Sequence, residues 1–207
     1  MKAKISLTAF YLLTIILGGC VPSLHPLFTE NELVFDSNLV GKWSEPNSSD
    51  IWEFKTADNK RYEFVLTQDK GKGVFTGMLG KIGNEFYLDI FPEDMNIPGN
   101  DFYKGHLIGA HSFMKIDVTK DSLKIGIMSP ESVKKILEAE PNAIKHEKVD
   151  DRIILTASTK ALKDFILKYA ADEKAELFGK DEDNKPLRRV SVQEANEPEN
   201  TEPNQPR

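Results

Sequence analysis

The chain has 207 residues, of which 40% are hydrophobic and 9% aromatic, and its 27 Lys and Arg against 33 Asp and Glu give a formal charge of −6. These values exclude a collagen-like or wholly disordered chain. The negative charge argues against a nucleic-acid-binding protein, because phosphates require a basic surface. The single cysteine excludes an intrachain disulfide and a zinc site built from cysteines.

Residues 1–19 have the three-part pattern of a secretory signal peptide. Lys2 and Lys4 come first, a nearly uninterrupted apolar run extends from residue 5 to 17, and small residues follow. A transmembrane helix is disfavoured, because residues 5–19 would rise only about 22 Å and the hydrocarbon core is about 30 Å thick. A buried core helix is the third possibility, although one rarely begins directly behind two lysines.

The segment Leu17-Gly18-Gly19-Cys20 resembles the bacterial lipobox. The resemblance implies a diacylglyceryl thioether on Cys20 and signal cleavage between Gly19 and Cys20; the alternative is a free cysteine after an ordinary signal. Two acyl chains would anchor the protein stably in a membrane, which predicts a bacterial cell-envelope location outside the cytoplasm. In lipoproteins of Gram-negative bacteria, an Asp directly after the modified cysteine favours retention in the inner membrane. This chain has Val21 at that position, so the outer membrane is expected if the source is Gram-negative.

Residues 20–32 are interpreted as the lipidated N-terminus and a tether. Pro22 and Pro26 disfavour a helix there. The segment also contains three apolar side chains, Leu24, Leu27 and Phe28. They either lie along an extended tether or dock on the domain that follows, and the sequence leaves both possibilities open.

Residues 33–179 are predicted to form one mainly β domain. Apolar and polar residues alternate with period two, as in half-buried antiparallel strands. The expected fold is an up-and-down β-barrel or a strongly curved sheet with two peripheral helices. Eight strands are predicted, near residues 39–43, 51–55, 62–66, 75–79, 86–90, 114–118, 123–127 and 153–155.

Two amphipathic helices are predicted late in the chain, at residues 130–139 and 159–170. Ser129 and Ser158 are the expected N-caps, and each helix carries one apolar stripe that should pack on the sheet. Residues 180–207 are expected to be a polar, largely disordered tail. Its residues 187–192 are apolar enough for one short edge strand.

No catalytic or metal-binding motif stands out. The chain contains no HExxH, Walker A, GxSxG or dinucleotide-binding glycine pattern. We therefore expect a protein that is not an enzyme, with no cofactor and no metal. A hydrolase whose site combines distant residues stays as an alternative.

Gly41-Lys42-Trp43, at the first predicted strand, resembles the Gly-x-Trp motif of lipocalins. The resemblance implies an eight-stranded barrel whose Trp plugs the closed end, and helix 159–170 is similar to the lipocalin helix that packs on the barrel. Two features depart from the family: its Thr-Asp-Tyr motif is absent, and helix 130–139 interrupts the last predicted hairpin.

Two functions in the envelope fit this sequence. In the first, a small apolar ligand lies in a lipocalin-like barrel, with four phenylalanines as candidate lining residues: Phe54, Phe64, Phe75 and Phe86. In the second, the barrel is filled and an envelope protein binds its outside, with three candidate contacts on nominally polar faces: Tyr87, Phe91 and Ile154.

Overall fold

The structure is a computed structural model that describes residues 20–69, 71–93, 99–180 and 184–190. Eight antiparallel strands close into a barrel, which confirms the predicted mainly β fold. Seven of them are consecutive in the chain: β1 Gly41–Ser44, β2 Ile51–Thr56, β3 Tyr62–Gln68, β4 Gly71–Ile82, β5 Glu85–Pro92, β6 Ser112–Val118 and β7 Ser122–Ile127.

The eighth strand of the barrel differs from the prediction. The strand near 153–155 is β9 (Arg152–Leu155), which pairs with β8 (His146–Val149) in a separate hairpin and bridges to Ser23 of the N-terminal segment. The barrel closes instead through β10 (Leu187–Arg189), which lies between β1 and β7 and extends the β domain past residue 179. Alternation indicates that a segment is extended, but it does not determine which sheet the segment joins.

Helices lie outside the barrel wall. The two longer ones, α2 (Pro130–Ala139) and α3 (Thr159–Ala170), have the predicted bounds, and their Ser129 and Ser158 caps accept backbone N–H groups of the first turn. A short helix, α1 (Asp101–Lys104), and a 3₁₀ turn at Glu30–Glu32 were not predicted. Within the described residues, no helix is both long and apolar enough to cross a bilayer.

Two separate hydrophobic clusters stabilise the fold. One fills the barrel interior. The other lies between the outer face of β4–β6 and a cover formed by α2, α3, β9 and the N-terminal segment, with Tyr87 and Phe113 among its buried side chains. The central strands are therefore covered on both faces, and the two helices pack on the barrel as predicted.

The segment after Cys20 docks on the barrel, so the first of the two possibilities for the tether, an extended chain, does not apply. Leu27 and Phe28 are buried in the outer cluster. Ser23 exchanges backbone hydrogen bonds with His111 at 2.9 and 2.8 Å. The predicted signal peptide, residues 1–19, and the tail beyond residue 190 lie outside the described residues.

Candidate functional site

One end of the barrel is sealed by residues from three parts of the chain. Trp43 is fully buried and donates its indole N–H to the carbonyl oxygen of Leu39 at 2.9 Å. The guanidinium of Arg189 lies 4.2 Å from the Trp43 ring centroid and donates to the carbonyls of Val40 and Asn38, each at 2.7 Å. We call this the closed end.

Aromatic rings form a continuous column inside the barrel. Phe54 and Phe64 stack with centroids 4.6 Å apart, and Phe64 also stacks with Phe75 at 5.4 Å and with Trp52 at 5.3 Å. Towards the closed end, Phe54 contacts Tyr62 edge-on at 6.4 Å. Offset and edge-on contacts at these distances are favourable beyond their buried area. The centre of the barrel is therefore packed with protein side chains.

Burial also fixes the chemistry of the tyrosine in this column. Desolvation raises the pKa of the Tyr62 hydroxyl above its ordinary value. The hydroxyl donates to the carbonyl of Asp36 at 3.1 Å and accepts the Asp36 N–H at 2.7 Å. Tyr62 thus ties the segment that crosses the closed end to the barrel interior.

The opposite end presents apolar side chains to solvent. At this end β2, β4 and β6 begin and β3, β5 and β7 finish, as their antiparallel registers require. Trp52, Leu66 and Phe75 are only partly buried although they face the interior, and Ile127 on the same inward face of β7 is 41% exposed. We call these four residues the mouth. Phe64 lies directly behind Trp52 and Phe75 and forms its floor.

The four predicted lining residues therefore fall in three different places. Phe54 and Phe64 are each 1% exposed and belong to the packed column. Phe75 lies at the mouth, where a ligand can reach it. Phe86 lies near the other end, where it pairs with Lys81, whose ammonium is 4.5 Å from its ring centroid. Of these four, only Phe75 is placed to contact a ligand at the mouth.

Two large cavities lie outside the barrel. One, of about 920 Å³, lies between the outer face of β5–β7 and the segment that follows α3, and its lining is rich in charged groups such as Lys115 and Asp117. The other, of about 820 Å³, is a shallow depression beside the start of α3. Neither cavity is lined by the inward-facing phenylalanines.

The proposed outer contact residues are largely covered. Tyr87 is buried with its ring 5.3 Å from that of Phe178, and desolvation raises its pKa to about 12. Phe91 packs on the His111 ring at 4.7 Å. Ile154 is half-buried in the separate hairpin. Tyr87 and Phe91 lie on the outer face of the barrel, which alternation assigns to solvent, and their apolar side chains are covered there by other parts of the chain.

A buried aspartate and a histidine hold the N-terminal segment. Asp89 is 0% exposed, accepts the Leu27 N–H at 2.8 Å through Oδ2 and receives Nδ1–H of His111 at 2.8 Å through Oδ1. Ser23 lies beside His111, but its hydroxyl donates to the carbonyl of His25 instead. Both carboxylate oxygens are thus engaged in fastening the chain to β5, a structural role that the sequence did not indicate.

The described residues contain no cluster of three or more His, Cys, Asp or Glu side chains that could hold a metal ion. Sequence reasoning missed Arg189 and three of the four mouth residues, which are Trp52, Leu66 and Ile127. The sequence signal for Arg189 is its position in the short apolar stretch 187–192, because an arginine on an edge strand can stack on a tryptophan. No protein-family model, no curated protein and no solved structure matches this chain.

Proposed function

We propose that this protein is a lipid-anchored, non-catalytic protein of the bacterial cell envelope that binds an acyl chain across the mouth of its barrel. The observation that carries the proposal is the mouth itself: apolar side chains face inward at an end that solvent can reach. The lipobox-like segment supports the anchor, and the exposed position of Cys20 is compatible with modification. The Gly-x-Trp resemblance supports a lipocalin-like mode of binding.

The packed column limits how deeply a ligand enters. With Phe54 and Phe64 stacked in the centre, a ligand lies against Phe75, Trp52 and Leu66 and does not fill the barrel. A linear acyl chain suits such a shallow apolar surface, because hydrophobic binding scales with the apolar area removed from water. A bulky polycyclic ligand would need the column to open.

Matched phenylalanine variants test the binding site. Phe75 and Phe86 are both half-buried and inward-facing, but they lie towards opposite ends of the barrel. The suitable protein is the chain from residue 20 with Cys20→Ser, which keeps both hydrophobic clusters. In fluorescence titrations with cis-parinaric acid, Phe75→Ser should weaken binding at least tenfold, because burial of a Phe side chain contributes about 1.5–3 kcal/mol.

The Phe86→Ser variant is the control, and it should bind the probe within about twofold of the unchanged chain. Circular dichroism of both variants establishes that the barrel is intact. Equal loss of binding in the two variants, or no binding by the unchanged chain, would refute a ligand site at the mouth.

Metabolic labelling tests the anchor separately. Radiolabelled palmitate should be incorporated into the full chain and not into the Cys20→Ser variant. Equal incorporation, or a mature N-terminus at another residue, would disprove lipidation at Cys20.

A further inference from the structure

A loop beside the mouth displays large apolar side chains. Residues 99–111 connect β5 to β6 at the mouth end, and residues 94–98 lie outside the described part. Phe102 is 80% exposed and Ile108 is 81% exposed, the highest values among the large apolar side chains that the structure describes. Tyr103 and Leu107 in the same loop are also exposed.

The loop satisfies its own polar groups. The side chain of Asn100 accepts the N–H of Tyr103 at 2.8 Å, and the backbone N–H of Gly105 donates to Asp101 at 2.9 Å. The carbonyl of Phe102 accepts a hydrogen bond from the His106 ring at 2.7 Å. These bonds are made within the loop, while Phe102 and Ile108 are left exposed by every part of the chain that the structure describes.

The loop is joined directly to the segment that carries Cys20. Ser23 and His111 exchange two backbone hydrogen bonds, so the last residue of the loop is fixed beside the N-terminal segment. Cys20 is three residues from Ser23, and Ile108 is three residues from His111. Because three residues span at most about 11 Å, Cys20 and Ile108 are no more than roughly 27 Å apart.

Charge makes the loop unlike the rest of the chain. Residues 99–111 contain one acidic residue, Asp101, and one lysine, Lys104. Cleavage after residue 19 would remove two lysines and no acidic residue, and so would change the formal charge of the chain from −6 to −8. With one charge of each sign and its histidines neutral, the loop is a largely apolar surface without net charge on an acidic protein, which suits a lipid surface better than a basic protein partner.

We propose that residues 102–108 insert into the bilayer that holds the lipid on Cys20, and so turn the mouth of the barrel towards the membrane. This inference rests on the proposed function, because the anchor determines which surface the loop meets. Across the mouth, the β1–β2 turn carries Glu45 and Asp50, so that side stays in water and the barrel tilts with the loop downwards. An acyl chain would then pass between the bilayer and Phe75 without crossing water.

Spin labels on the lipidated full chain test the insertion. The chain has no cysteine other than Cys20, whose thiol is blocked by the lipid, so Ile108→Cys introduces one reactive thiol. Leu167→Cys is the control: Leu167 is 55% exposed on α3, and its Cδ1 would lie 3.5 Å from a Cβ added at Gly83 in the β4–β5 turn, at the other end of the barrel. Both proteins are reconstituted in vesicles of phosphatidylethanolamine and phosphatidylglycerol.

The label at position 108 should collide more often with oxygen than with a water-soluble nickel complex, and the label at 167 should show the reverse order. Equal access of the nickel complex to both labels would overturn the proposal. A failure of the anchor is recognised independently, because an unlipidated Cys20 would take up a second label that mass spectrometry detects. A failure of ligand binding at the mouth leaves this accessibility measurement unaffected.

Discussion

Arg189 is the side chain whose removal should reveal how the closed end is held. Its guanidinium donates to the carbonyls of Val40, Asn38 and Lys120 at 2.7, 2.7 and 2.8 Å, and it stacks on Trp43. A hydrogen bond from a charged donor contributes about 1.5–3 kcal/mol where it is buried. Two of these three bonds are exposed and therefore contribute less. The cation–π contact with Trp43 adds about 1 kcal/mol. The hydrogen bonds and this contact together should contribute about 3 kcal/mol to the free energy of unfolding.

The Arg189→Ala variant should therefore unfold at a urea concentration about 1.5 M lower than the unchanged chain, if the dependence on urea is about 2 kcal/mol per M. Tryptophan fluorescence follows the transition. Arg189→Lys should recover less than half of the loss, because the three donors of an ammonium lie on one nitrogen, whereas Arg189 reaches its three carbonyls through three separate nitrogens. Arg188→Ala is the control, since Arg188 is exposed on the same strand. The reasoning is refuted if Arg189→Ala and Arg188→Ala shift the midpoint equally.

Three further changes probe the N-terminal segment and its surroundings. Asp89→Ala should lower the free energy of unfolding by about 3 kcal/mol and speed amide exchange in residues 23–28, while unchanged exchange would show that the carboxylate does not hold this segment. Gly80→Ala should destabilise by about 1–3 kcal/mol, because the new Cβ would lie 2.5 Å from the Phe28 ring; a stability equal to that of the unchanged chain would contradict this contact. The hydrogen bond from Lys163 is the main reason that the pKa of Glu32 falls from 4.5 to about 2. The ionised Glu32 carboxylate therefore contributes fully to the free energy of unfolding above pH 4.5, and this contribution disappears as the pH falls towards 2. Glu32→Gln should lower the free energy of unfolding by less than about 1 kcal/mol at pH 7. It should also remove the part of the pH dependence of stability that comes from Glu32, which urea titrations at pH 3 and pH 7 would measure.

The sequence predicted the barrel because seven of its strands alternate clearly and follow one another in the chain. It allowed a short edge strand at residues 187–192, where β10 lies, but it could not predict that this strand closes the barrel, because β10 has only three residues and pairs with β1 across most of the length of the chain. Such a long-range pairing leaves little local pattern. The apolar strand β9 gave the stronger signal although it belongs to the outer hairpin.

The candidate site was predictable only in part. Inward-facing phenylalanines follow from period two, but their depth depends on the register between strands, which places Phe75 near the mouth and Phe86 near the other end. The apolar cover on the outer face of the barrel could not be predicted either, because Tyr87 and Asp89 occupy positions that alternation assigns to solvent. The docking of residues 21–28 depends on Asp89, 62 residues from its partner Leu27, and no local pattern encodes that contact.

Native mass spectrometry tests the central claim, that the mouth binds an acyl chain, most directly. The chain from residue 20 with Cys20→Ser carries no covalent lipid, so any additional mass after incubation with a lysophospholipid reports non-covalent binding. We predict one bound molecule per chain, released on collisional activation and absent when Phe75 is replaced by serine. A mass that stays that of the free chain at every lysophospholipid concentration, or equal binding by the Phe75→Ser variant, would contradict the account.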